Sequence, residues 1–119
     1  MTGPEVPRLQ TCVNSFIRVT AVPKVQTSLM SLISHLDDGE REAISLAHAT
    51  SHLLLVDERE ARIVVSRLRM MYTGSTGVIL RAKSAGLIPV VRPLLETLRQ
   101  SGYYLSDLLI QSALAAAGE

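Results

Sequence analysis

A chain of 119 residues, 47% of them apolar, holds enough material for one hydrophobic core and too little for two independently folding domains. Lys and Arg exceed Asp and Glu by one, 12 against 11, which excludes long-range steering toward nucleic acid or an anionic membrane; any polyanion has to be gripped locally. Cys12 is the only cysteine, which excludes an internal disulfide framework or a cysteine-built zinc site and points to a reducing, cytoplasmic setting.

Residues 1–14 read as an irregular lead-in, with no export signal in Met1 to Gln10. Phe16-Ile17-Arg18-Val19-Thr20-Ala21-Val22 is β-branched and loosely alternating, and Pro23 closes it as a strand. Val25, Leu29, Leu32, Ile33 and Leu36 recur at helical spacing and predict a one-sided helix. Asp37-Asp38-Gly39 interrupts it, and Glu40 opens a second helix, with Asp37 or Asp38 as N-cap and Ala43, Ile44 and Ala47 inward.

Leu53 to Val56 is an uninterrupted apolar run ended by Asp57, the pattern of a strand covered on both faces. Ala61, Val64, Val65 and Leu68 then give a crossover helix, the first part of a βαβ unit. Met70 to Thr73 predicts a second short strand, and Thr73-Gly74-Ser75-Thr76-Gly77 a turn into a helix with Val78, Ile79, Ala82 and Ala85 inward. A helix from about Arg92, with Pro93 early, presents Val91, Leu94, Leu95 and Leu98. Ser106 caps a last helix built on Leu109, Ile110, Ala113, Leu114 and Ala117. The longest apolar runs are strand-length, short of the roughly 20 residues of a membrane span.

The chemistry-bearing candidates follow from placement. Glu40 opens a helix and Asp57 ends a buried strand, two places that share the carboxyl-end rim of a parallel sheet, where ligands of open α/β sheets bind. Carboxylates there suit Mg²⁺ or Mn²⁺, hard ions that activate water against phosphodiesters. The plain structural alternative is that Asp57 caps the Glu58 helix and Glu40 favours its own helix dipole. Glu42 is a weaker candidate ligand, and Thr73 and Ser75 are supporting groups that a phosphate or carboxylate would meet at a helix start.

Val78 stands where a nucleotide-binding phosphate loop requires lysine, so that motif is not met. His48 and His52 are four apart, but Ala49 replaces the glutamate of the zinc-hydrolase motif. Arg59, Arg62 and Arg69 form a modest basic stripe near Asp57, suited to nucleic-acid backbone or simply to a wet surface.

Three stretches together resemble a known family: Leu36-Asp37-Asp38-Gly39-Glu40-Arg41-Glu42-Ala43-Ile44, then Leu53-Leu54-Leu55-Val56-Asp57-Glu58, then Thr73-Gly74-Ser75-Thr76-Gly77 through Ile88-Pro89. Val91-Arg92-Pro93-Leu94-Leu95 and Gly102-Tyr103-Tyr104-Leu105-Ser106 extend the likeness to most of the chain from about Ile17. The family is the DUF3368 group of PIN-domain relatives. The resemblance implies a PIN-like three-layer α/β/α fold with a short parallel sheet, over residues 15–119. It also implies a metal-dependent ribonuclease, often the toxin of a toxin–antitoxin pair, with Glu40 and Asp57 as its catalytic and metal-binding acids.

Family members normally begin with a strand ending in Asp-x-Ser, which this sequence does not show, so the resemblance implies an N-terminally incomplete domain lacking two of the usual four carboxylates. Weak or absent activity is then expected. The expected partners are an RNA substrate and an antitoxin or a second copy in a homodimer. The alternative expectation is a non-catalytic protein-interaction domain or a fragment that needs a partner, because an incomplete sheet leaves backbone groups unpaired.

Overall fold

The structure is a computed structural model that describes residues 13, 15–24 and 26–119. The predicted lead-in, Cys12 and Val25 lie outside those residues, wholly or for the most part. Among the described residues the regular elements, in chain order, are α1 (Thr27–Ile33), α2 (Asp38–Thr50), β1 (Leu54–Leu55), α3 (Arg59–Arg67), β2 (Tyr72–Thr73), α4 (Ser75–Ser84), α5 (Arg92–Gln100) and α6 (Asp107–Ala116). This is an α/β fold, with helices set about a two-stranded parallel sheet in an incomplete α/β/α arrangement.

The chain reverses direction where local chemistry tells it to. Asp37 caps α2 by accepting the Glu40 N–H at 2.8 Å, as the sequence predicts, and the helix begins at Asp38, two residues before Glu40. Ser106 caps α6 in the same way through Leu109 N–H at 3.1 Å. Pro93 sits in the first turn of α5, where its missing N–H costs nothing. After β1, helix α3 carries the chain back so that β2 lies parallel, with Leu54 opposite Tyr72 and Leu55 opposite Thr73. The Leu54 N–H donates to Met71 O at 3.0 Å and the Val56 N–H to Thr73 O at 2.8 Å.

Two separate apolar clusters hold the molecule. The first joins Ile33, Ile44, Leu54, Val56 and Val65 from α1, α2, β1 and α3. The second joins Val91, Leu95, Ile110 and Leu114 from α5 and α6, with Ile79 and Leu80 of α4 against it. Each fully buried aliphatic side chain contributes roughly 1.5–3 kcal/mol by leaving water.

Several expectations are corrected. Phe16 to Val22 forms no strand: it holds only an isolated bridge between Val13 and Ile17, and Phe16 and Val19 are 80% and 76% exposed. β-branching gives a segment strand propensity, but a strand also needs a partner, and among the described residues none pairs with this one. Leu53 to Val56 is covered on one face, not two: Leu54 and Val56 are buried while Leu53 and Leu55 are exposed, because the helices of the first cluster cover one side of a narrow sheet. On α2 the inward position assigned to Ala43 belongs to Ser45, whose hydroxyl donates to Arg41 O at 2.6 Å and so enters the core satisfied. On α4, Val78 and Ala85 are exposed, and Leu80 packs with Ile79 against the second cluster instead. Leu32, Leu94 and Leu109 are likewise exposed by two fifths or more.

Candidate active site

Parallel pairing puts the carboxyl ends of β1 and β2 side by side. Asp57 lies just beyond β1, and Gly74 and Ser75 just beyond β2. The Asp57 carboxylate accepts twice from Ser75, Oδ1 from its backbone N–H at 2.7 Å and Oδ2 from its hydroxyl at 2.5 Å. Ser75 is the first residue of α4, so Asp57 satisfies an otherwise orphan donor of that helix from a neighbouring strand. The carboxylate is thereby fixed in orientation while one lone pair on each oxygen stays free. The structural role expected of Asp57 therefore changes: α3 begins after Glu58 with no side-chain cap, and Asp57 serves α4 instead.

Two glycines permit this approach. A Cβ at Gly74 would stand 2.7 Å from Asp57 Oδ1, and one at Gly77 would run into Thr73 Oγ1. The glycines of the Thr73–Gly77 turn thus act as spacing for two oxygen-bearing side chains on the rim, not as a phosphate loop.

Glu40 lies in the first turn of α2, half-buried. Its carboxyl is held above the ordinary glutamate range first by burial, then by the negative charge of Asp37, with Glu58 and Glu60 adding to it. The starts of α2 and α3 therefore share one acidic field. A group whose charge is disfavoured in this way favours uptake of a proton or a cation. Glu42 is exposed on α2. Of the predicted residues, the structure joins Asp57, Thr73 and Ser75 around one cavity, and couples Glu40 to Glu58 and Glu60. Among the described residues, no group of three or more His, Cys, Asp and Glu is disposed to hold a metal ion.

The cavity beside Asp57 has a volume of about 490 Å³ and runs from Thr73 and Ser75 to Tyr103 and Tyr104 on the α5–α6 connection. Arg62 of α3 reaches it, its guanidinium carbon 5.7 Å from the centre of the Tyr72 ring. Arg59 and Arg62 also flank Asp57 on an adjoining hollow. Arg69, predicted to extend that basic stripe, instead turns at the end of α3 toward His48 and His52. The tyrosines were not expected here. Their signal in the sequence is composition: three of the chain's four aromatic residues are tyrosines, two of them adjacent in a loop.

A family model described as a PIN domain, DUF3368, matches residues 3–119. No curated protein matches the chain, and no solved structure does.

Proposed function

Because the chain belongs to the DUF3368 family of PIN domains, we propose that it is a relative of metal-dependent ribonucleases, of weak activity in the form of this chain, acting on RNA phosphodiesters at the Asp57 rim. The observation that carries the proposal is the carboxylate of Asp57, fixed by two Ser75 donors at the carboxyl end of a parallel strand with lone pairs to spare. Its donor set suits a hard, water-rich ion: Asp57, with Glu40 as the second acid of the proposal, would hold Mg²⁺ or Mn²⁺, with waters filling the remaining positions. Such an ion, when bound, lowers the pKa of its water and offsets charge on a phosphodiester. The chain's own residues orient Asp57 through Ser75 and Thr73–Gly77, and hold Glu40 in a negative field that a cation relieves. Glu42 stays a weaker candidate, on the exposed side of α2.

Purified chain, RNA and Mn²⁺ test this beside Asp57→Asn. The expected result is slow cleavage that the variant loses; equal cleavage by both, or none by either, overturns it. A role as the toxin of a toxin–antitoxin pair, an antitoxin partner, and action in the cytoplasm, in keeping with a single cysteine, belong to the same proposal. No helix among the described residues is long and apolar enough to cross a membrane.

A second reading, a protein-interaction domain or a partner-dependent fold such as a homodimer, is favoured by one observation. Leu53, Leu55 and Met71 are 45%, 58% and 66% exposed at the sheet, where β1 pairs only with β2 among the described residues. Light scattering on the eluting protein decides it: a monomer that unfolds cooperatively removes this reading.

A further inference from the structure

We propose that Tyr103 and Tyr104, on a cavity that Arg62 also lines, form a stacking shelf that takes an unpaired nucleobase, so that these two rings favour single-stranded nucleic acid over duplex. The proposal rests on the nuclease reading for its context, but its observations are separate. Tyr104 is 90% exposed and Tyr103 48%, so burial gains the fold little from either ring. Both nevertheless stand on a pinned loop. Gly102, at φ 98°, takes the left-handed position that ends α5, and the Tyr103 N–H donates back to Leu98 O at 3.2 Å. The Arg99 guanidinium ties down the far side of the loop through Leu105 O at 3.1 Å and Asp107 at 3.0 Å. Two rings that face water on an ordered backbone lose little entropy when they meet a flat partner.

The surroundings fit a nucleotide better than a purely apolar ligand. Arg62, already over the Tyr72 ring, offers a cation in a cavity lining that also carries Ser75, Thr73 and the Asp57 carboxylate. About 490 Å³ lies within the range of small-ligand sites. Base stacking on an aromatic side chain is tolerant of sequence because every base has a π-face, and a paired base has no free face to offer. The shared chemistry is an unpaired base with its phosphate, from RNA or DNA.

The chain has no tryptophan, and all three tyrosines line this cavity, so tyrosine emission reports the site directly. Full-length protein in EDTA, which separates binding from cleavage, is titrated with short oligouridine, oligothymidine and a duplex of equal length. Quenching by either single strand, at least about tenfold tighter than by the duplex, is expected from stacking energies of this kind. Tyr103→Ala/Tyr104→Ala should weaken single-strand binding about tenfold or more, read by fluorescence anisotropy of a labelled strand, while Tyr104→Phe retains it. Because both rings are solvent-facing, unchanged circular dichroism is expected for every variant. Equal affinity of the double variant and the parent, or of duplex and single strand, overturns the proposal. Uridine binding without cleavage would leave the shelf standing and end the nuclease reading; cleavage without dependence on the tyrosines would do the reverse.

Discussion

The two halves of the molecule solve the same packing problem differently. In α4–α6, the second apolar cluster is closed by contacts that span long stretches of chain: the Glu119 carboxylate accepts from Lys83 Nζ at 3.0 Å and from the Val91 N–H at 2.8 Å, and Lys83 also donates to Ala117 O. Gly118, at φ 76°, sets Glu119 in place, and the Glu119 N–H returns to Leu114 O at 2.8 Å. In α1–α3, the ion pair among the described residues is local, Arg41 with Asp38 one turn away. Arg69, not glycine, takes the left-handed position that ends α3, at φ 55°. Both halves leave apolar side chains in water, Leu53 and Leu55 in the first and Leu87 and Leu108 in the second. One half is fastened across long stretches of chain, and the other is held by its apolar cluster and by local contacts, with a left-handed backbone at Arg69.

The largest test of this contrast lies in the two cores. Ile44→Ala and Leu95→Ala remove side chains that are 0% and 1% exposed, and each should cost about 2–5 kcal/mol by denaturant unfolding. Hydrogen exchange should then separate the halves, with α4–α6 keeping more of its protection in Ile44→Ala than α1–α3 keeps in Leu95→Ala. Uniform loss in both variants would break the comparison. The seam between the halves is next: Gly74→Ala drives a Cβ against Asp57 Oδ1 and should cost about 1–3 kcal/mol, with loss of any Mn²⁺-dependent activity, since the clash falls on a fixed carboxylate and not on a flexible tip.

Acid should loosen the second half first. The Glu119 carboxyl is held below the ordinary glutamate range, chiefly by the Val91 N–H and with help from Lys83. A depressed folded pKa means that its contribution is present above the ordinary value and is lost as pH falls through the depressed one. Thermal melts taken from neutral pH into acid should show this loss in the parent and a flatter profile in Glu119→Gln. The smallest effect is expected at Arg69, where Arg69→Gly should relieve the left-handed backbone and raise stability by roughly 0.5–1 kcal/mol, less whatever entropy glycine adds to the unfolded chain.

What the sequence discloses divides along the range of the interaction. Asp37 and Ser106 are legible as caps because a cap is settled within three residues, and the β1–α3–β2 unit is legible because its periodicities are local. The placement of Asp57 at the rim was legible too, but its bond to Ser75 was not: the two are 18 residues apart and meet only through the register of two parallel strands. Phe16 to Val22 misleads because strand propensity says nothing about whether a partner is present. Leu55 misleads because an unbroken apolar run does not say how many layers cover it. The acidic field around Glu40 is legible as a cluster of carboxylates close in sequence, Asp37, Glu58 and Glu60 among them, while its strength at Glu40 depends on how α2 and α3 meet.

The two hydrogen bonds that Ser75 donates tie the Asp57 carboxylate at the rim to the start of α4. A cation at this carboxylate would share it with α4, so the hydrogen bonds from the helix start would set part of the affinity of the rim. A cation bound there would be felt first at the start of α4, whose first residue shares the carboxylate with it.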